Sequence, residues 1–246
     1  MRYREAIVCG YHVEWYDELL STNRTAKESE RVVGERLAVI ADRQTEGRGR
    51  LGRSFCSPKG GLYMSVRFPV PENADMTALT VRAAVAVAQA IESICDIKIG
   101  IKWVNDLYAS GRKLCGILAE LVSCGDVREV VLGVGVNLAS ASLSPEVDKI
   151  ATSIERECGA SPDRDRVAEE VLMRLAEIDL STSQPRYIDE YRRRSVLLGK
   201  NVTVIPHTGQ SYAAEVVGIG DDGALEVLAD GEPRRIFTGD VSVRLI

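Results

Sequence analysis

The 246-residue sequence has only two histidines, His12 and His207, and its six cysteines (Cys9, Cys56, Cys95, Cys115, Cys124 and Cys158) include no C-x-x-C pair. That excludes a zinc site built on cysteine and histidine. No cysteine has a His/Asn partner set around it, which leaves thiol catalysis without its base. Several lie in apolar stretches, where a reduced cysteine behaves as a small hydrophobe. No segment approaches the ~20 apolar residues that span a bilayer, and Met1–Glu5 lacks the apolar run of a signal peptide. These absences predict a cytoplasmic protein with no membrane association. Positive charge is not in excess either: the net charge is -5, against the basic footprint of a nucleic-acid-binding surface. There are no internal repeats and no low-complexity tracts.

Hydrophobic residues make up 45% and charged residues 27%, the balance of a globular chain with one sizeable core, or a main domain and a small appendage. One stretch departs from this balance. Between Arg43 and Phe55 the chain places Arg43, Arg48, Arg50 and Arg53 among Gly47, Gly49 and Gly52. Arginine offers a planar, permanently charged fork that matches carboxylate and phosphate oxygens, and glycine lets backbone approach a ligand closely. In an acidic chain this reads as a local site for a small anionic ligand, on a loop that closes around it and is poorly fixed without it.

The hydrophobic pattern predicts strands over His12–Asp17, Leu37–Ala41 and Gly61–Phe68, the last ended by Pro69 and Pro71. A polar helix is expected over Arg24–Glu35, capped by Ser21 or Thr22, and a long helix, apolar nearly all round, over Thr77–Cys95. Ile97, Ile99, Ile101 and Trp103 alternate with polar or small residues as a half-buried strand does. Leu107–Tyr108, a turn at Ser110–Gly111 and Leu114–Leu121 predict a hairpin. A turn at Gly125–Asp126 leads to a strand over Val130–Val136. Residues 144–194 read as helical, with Asp163–Ile178 amphipathic. After Gly199, short strands alternate with turns at Thr208–Gly209, Asp221–Gly223 and Asp230–Gly231, which predicts a small antiparallel barrel of roughly five strands. The fold class is therefore α+β, a mixed sheet with helices, divided into residues 1–196 and a C-terminal unit over 197–246.

Four segments carry candidate chemistry. Ser21-Thr22-Asn23 offers hydroxyls, an amide and free N–H groups at a helix start, suited to a neutral polar ligand head. Gln44 precedes the Arg/Gly loop and suits an amide- or urea-like edge. Lys102, Asn105 and Asp106 close a strand, and Lys113 opens the next. Each has a plainer explanation: Ser21 as a helix cap, Lys102 as a solvated strand residue, Asn105 and Asp106 as turn formers, and Asn137 as an asparagine in left-handed geometry.

Taken in order, these segments resemble the biotin–protein ligases, in the form without an N-terminal DNA-binding domain. The family order is S-T-N, Q-x-x-G-R-G-R-x-G-R, S-P-x-G-G-L-Y-x-S, K-W-P-N-D, K-x-x-G-I-L-x-E and G-x-G-x-N. Here these are Ser21–Asn23, Gln44–Arg53, Ser57–Ser65, Lys102–Asp106, Lys113–Glu120 and Gly133–Asn137. Val104 stands where the family has proline, which should soften the turn, and Phe55 stands where tryptophan is common, a change of size expected to be tolerated.

The resemblance implies a class II synthetase-like catalytic sheet and an SH3-like C-terminal barrel. It implies ATP-dependent formation of biotinyl-5′-AMP and transfer of biotin to one lysine of a biotin carboxyl carrier protein. It assigns Ser21, Thr22, Asn23, Gln44, Arg48, Gly49, Arg50 and Lys113 to biotin. Arg48, Arg50, Arg53, Lys102, Asn105, Asp106 and Asn137 go to ATP and the adenylate, and Lys113, Arg48 and Asp106 to catalysis. Mg²⁺ is expected with the ATP phosphates and no dedicated metal site; a homodimer is compatible with the family. No aromatic is assigned to the adenine, Trp15 and Trp103 being better explained as core or pocket wall. The competing readings are a lipoate–protein ligase or octanoyl transferase, which shares the catalytic fold, and a non-catalytic biotin sensor, which the retained lysines oppose. A repressor is the third: the twenty residues before Ser21 are too few for a DNA-binding domain, so no specific DNA binding is expected.

Overall fold

The computed structural model describes all residues except 32–33, 73, 125–126, 141–144, 183, 207–208, 238–240 and 246, together with the side chains of 123–124, 145–146 and 241–245. The chain opens on a hairpin, β1 (Arg2–Val8) and β2 (Tyr11–Tyr16), followed by α1 (Thr22–Glu28), β3 (Leu37–Ala41), β4 (Gly61–Pro69) and α2 (Met76–Ile94). Three strands cross back: β5 (Gly100–Lys102), β6 (Asp106–Ala109) and β7 (Arg112–Cys124), then β8 (Val127–Asn137). Four helices follow, α3 (Pro145–Asp148), α4 (Ile154–Cys158), α5 (Arg164–Ala176) and α6 (Pro185–Arg194). The C-terminal strands are β9 (Asn201–Pro206), β10 (Tyr212–Ile219), β11 (Leu225–Ala229), β12 (Glu232–Ile236) and β13 (Val241–Leu245).

The first eight strands form one sheet in the order β1-β2-β3-β4-β8-β7-β6-β5, antiparallel except for the parallel pair β2–β3. Side chains alternate across a strand, and here the alternation assigns two faces. Val130, Leu132, Val134 and Val136 join the main core with Leu62, Met64 and Val66. Val131 belongs instead to a small cluster with Leu37, Val39 and Ala26 of α1. Gly133 and Gly135 continue Val131's face, so the α1 side of the sheet is thin where α1 crosses it.

Helix α2 is buried on most of its surface and packs against β7, α5 and α6. Asp75 caps it, accepting from the backbone N–H of Thr77 at 2.7 Å and Ala78 at 3.2 Å, the favoured chemistry at a helix start. By length and composition α2 could cross a membrane, but 61% of its apolar window is buried inside the protein. The expectation that no segment approaches such a length is corrected to that extent.

Two other expectations are corrected, and one strand was not expected. The helix after Ser21 stops at Glu28 rather than Glu35. The buried Arg67 guanidinium ends it, donating to the carbonyls of Ala26, Ser29 and Arg31 at 2.9–3.1 Å and taking up carbonyls a longer helix would use itself. The strand expected from Ile97 begins at Gly100, because the Ile99 N–H turns to Glu92 Oε1 at 2.8 Å. The edge strand β1 had no signal in its charged, exposed residues; the two-residue turn Cys9–Gly10, both with positive φ, makes the hairpin. The turns expected at Ser110–Gly111 and Asp230–Gly231 have the same positive-φ pair. Gly125–Asp126, Thr208 and Ser144 lie outside the described residues.

Strands β9–β13 form a separate antiparallel sheet in the order β12-β11-β10-β9-β13; among the described residues no β12–β13 pairing closes it. It is fastened to the first sheet behind the β5–β6 turn. The Trp103 indole N–H donates to the Gly223 carbonyl at 2.9 Å, and Arg192 donates to the Ile219 carbonyl at 2.7 Å and Asp221 Oδ1 at 2.6 Å. Trp103→Phe strands the Gly223 carbonyl and should lower stability by about 1–3 kcal/mol. Urea unfolding measures this, and an unchanged midpoint would deny the indole its fastening role.

Candidate active site

A cavity of about 300 Å³ opens on the thin face of the sheet. Its floor is set by glycines whose missing side chains are required by neighbours. A Cβ on Gly133 would lie 2.2 Å from Asn23 Oδ1, one on Gly135 2.6 Å from the Phe55 ring, and one on Gly116 3.1 Å from the same ring. Phe55 in turn meets Tyr63 edge-on at 6.4 Å. Phe55 thus forms an apolar wall over two glycines.

One end of the cavity is neutral and polar. Ser21, Thr22, Asn23 and Gln44 line it. Ser21 sits at the N-cap of α1 but makes no side-chain cap bond. The cap comes from Gln44, whose Oε1 accepts the Thr22 N–H at 2.8 Å and the Thr22 hydroxyl at 3.0 Å. Gln44 Nε2 donates to Ser57 Oγ, which donates to the Phe55 carbonyl, both at 2.9 Å. Beneath, Ser65 Oγ lies 2.5 Å from Asn23 Oδ1 and 2.7 Å from Thr22 Oγ1. Asn23 Nδ2 donates to Glu120 Oε2 at 2.7 Å and Lys27 Nζ to Glu120 Oε1 at 2.6 Å. Burial alone would raise the Glu120 carboxyl, but the bonds from Asn23 and Lys27 and the charges of Lys27 and Arg48 bring it below its ordinary value.

The other end is cationic. Arg48, Arg50, Arg53, Lys102 and Lys113 line the cavity, with Asp106 as its carboxylate. Lys113 reaches this position through a β-bulge: Tyr108 pairs with Lys113 and Leu107 with Cys115, which leaves Leu114 extra. The bulge brings Lys113 to the face of Gly116, as bulges re-aim side chains near active sites. Its Nζ lies 2.7 Å from Asp106 Oδ1 and 5.7 Å from the Phe55 ring centre. Asn105 Nδ2 donates to the Ile117 carbonyl at 2.6 Å, which turns its oxygen toward Arg50 at 3.4 Å. Burial lowers the Arg50 guanidinium, an effect opposed by the charge of Asp106. Lys102 lies 5.6 Å from the Tyr108 ring.

Val104 lies inside this turn, between Trp103 and Asn105. It is buried, and its carbonyl accepts the Tyr191 hydroxyl at 3.0 Å; the Trp103–Val104 peptide bond is cis. The backbone of the Arg/Gly loop bonds to itself. Phe55 N–H donates to the Gly47 carbonyl at 2.8 Å and Gly49 N–H to Arg53 at 2.7 Å. A short 3₁₀ turn at Arg50–Gly52 forms its tip, with Leu51 and Gly52 at positive φ.

Every predicted site residue except Asn137 borders this cavity. Asn137 is buried and donates to the Thr152 carbonyl at 3.0 Å; its side chain joins β8 to the segment before α4 and does not border the cavity. Ser65 and Glu120, bonded to Asn23 at the polar end, were not expected there. Both lay inside quoted motifs, and the period-two alternation from Gly116 through Leu118 would have found Glu120.

Known proteins resemble this chain in sequence and fold. Residues 17–137 match the biotin/lipoate A/B protein ligase family, and residues 197–244 match the biotin protein ligase C-terminal domain. The chain is 35% identical to the biotin–[acetyl-CoA-carboxylase] ligase of Mycobacterium tuberculosis over 214 residues, 83% of this chain and 78% of that protein. It is 31% identical to the bifunctional ligase/repressor BirA of Bacillus subtilis over 256 residues, 96% of this chain and 75% of that protein. The fold matches the biotin protein ligase of Aquifex aeolicus in complex with biotin and ATP, with a TM-score of 0.84, 29% identity, and coverage of 95% and 99% of the two chains. By motif order, fold and relatives alike, the chain belongs to the biotin protein ligases of the biotin/lipoate A/B protein ligase family.

Proposed function

We propose that the cavity holds biotin with its ureido ring among Ser21, Thr22, Asn23 and Gln44 and its carboxylate at Lys113, with ATP across Arg48, Arg50, Arg53, Lys102, Asn105 and Asp106. The enzyme is an ATP-dependent ligase. The observation that carries the placement is the lining of one continuous cavity, which joins the hydrogen-bonding side chains of Ser21, Thr22, Asn23 and Gln44 to the cations Arg48, Arg50, Arg53, Lys102 and Lys113, in a chain of net charge -5.

The chemistry requires a carboxylate to approach the α-phosphate of an anionic triphosphate. Two like charges about 4 Å apart repel by roughly 4 kcal/mol in a partly screened site. The loop arginines and Lys113 offset this repulsion. Attack of a biotin carboxyl oxygen on the α-phosphorus forms biotinyl-5′-AMP and releases pyrophosphate. Lys113 then stays on the acyl-phosphate oxygens. The acceptor is the lysine of a biotin carboxyl carrier protein; its amine attacks the acyl carbon, and AMP leaves. Asp106, held by Lys113 at 2.7 Å, orients this amine or accepts its proton.

The oxygens of Asp106 and Asn105 are the donors that would hold Mg²⁺ here, a donor set that fits a cation kept mainly by phosphate oxygens. Bound there, it would neutralise triphosphate charge. The C-terminal unit, residues 197–246, braces the β5–β6 turn from behind. The protein is expected to act in the cytoplasm.

The lipoate alternative is separated by ATP–pyrophosphate exchange. Biotin should stimulate exchange and lipoate should not; stimulation by lipoate alone would replace this reading with the runner-up.

A further inference from the structure

Glu120 does not line the cavity, yet it is tied to its polar end through Asn23. We propose that Glu120 is a positioning residue for biotin: by accepting from Asn23 it sets the direction of the protons along Asn23, Ser65 and Thr22, and so presents acceptors to the ureido N–H groups. The inference rests on the ligase reading and concerns a residue to which that reading gives no role.

An ionised carboxylate only accepts. One oxygen of Glu120 takes Lys27 at 2.6 Å, the other takes Asn23 Nδ2 at 2.7 Å. Asn23 must therefore turn its amide oxygen toward Ser65. Ser65 is fully buried and has one proton for two neighbours, Asn23 Oδ1 at 2.5 Å and Thr22 Oγ1 at 2.7 Å. The amide oxygen has no proton to give, so the Ser65 proton goes to it.

Thr22 then spends its own proton inside the network, on Ser65 Oγ or on Gln44 Oε1 at 3.0 Å. Its lone pairs remain for a ligand. A cyclic urea offers two N–H donors, which that end of the cavity can accept. Gly133 leaves the room Asn23 occupies, since a Cβ there would lie 2.2 Å from Asn23 Oδ1. With a neutral amide at position 120, Asn23 is free to turn over. Ser65 would then accept from Asn23 and donate to Thr22, filling the lone pair the ligand needs.

The test uses the full chain and three variants. Glu120→Gln should raise KM for biotin by about ten- to a hundredfold, the effect of a hydrogen bond to a charged group, with KM for ATP unchanged. Asn23→Asp alone should also weaken biotin, because two carboxylates then face each other. The double variant Asn23→Asp/Glu120→Gln should recover most of the loss, since the carboxylate at 23 accepts both from Ser65 and from the amide at 120. Such recovery is a coupling that a general packing defect does not produce. An unchanged biotin KM in Glu120→Gln, equal rises in both KM values, or a double variant no better than the singles would each overturn the proposal. Failure of the ligase reading shows separately, as wild-type exchange that biotin does not stimulate.

Discussion

Lys113→Ala lowers biotin-dependent ATP–pyrophosphate exchange by about a hundred- to a thousandfold, the usual effect of removing a donor from a developing oxyanion. The variant should fold normally, because the Lys113 side chain is 31% exposed and the bulge that presents it is held by backbone pairing. The effect has two parts. The ammonium no longer meets the carboxyl oxygens of biotin as they approach phosphorus. Asp106 also loses its 2.7 Å partner, which leaves a net negative charge beside an anionic substrate. A Lys113→Arg variant keeps the charge but spreads it over a larger fork above Gly116, where a Cβ would already be 3.3 Å from Lys113 Nζ. It should recover only part of the activity. Full exchange in folded Lys113→Ala would remove Lys113 from its role.

Gly133→Ala should abolish most biotin binding through a single methyl group. The added Cβ would lie 2.2 Å from Asn23 Oδ1 and 3.0 Å from Asn23 Cγ, well inside contact distance. Asn23 cannot yield, being held by Ser65 on one side and Glu120 on the other. Either the network breaks or β8 moves away from α1, and both outcomes disturb the polar end of the cavity. Losing two neutral hydrogen bonds to the ligand at this end costs about 1–3 kcal/mol, so the Kd for biotin should rise by roughly five- to a hundredfold. Isothermal titration measures it. Wild-type affinity in this variant would show that Asn23 has no part in binding biotin.

Much of this site could be read from the sequence because its chemistry is concentrated in short, ordered motifs. The Arg/Gly loop, the lysines at 102 and 113, and Asp106 are polar residues in unusual local company, and the fold brings them to one cavity. The helix α2 and the strands β3, β4 and β8 were visible because their apolar patterns are strong. Three things were not visible, for physical reasons. The strand β1 is charged and exposed, and a two-residue positive-φ turn makes it. The stop of α1 at Glu28 depends on Arg67, far away in sequence. Asn137 sits in a motif, but its side chain is spent on the Thr152 carbonyl. At Gly133 and Gly135 of the floor the requirement is close approach of Asn23 and Phe55, which only the fold reveals.

The most direct test of ligation is intact mass. Incubation with biotin, ATP, Mg²⁺ and a biotin-carrier domain should add the mass of one biotinyl group to the carrier, and none when biotin or ATP is withheld. An unmodified carrier, in the presence of an enzyme that still performs biotin-dependent pyrophosphate exchange, would contradict transfer to this acceptor. An unmodified carrier together with no exchange would contradict ligation altogether.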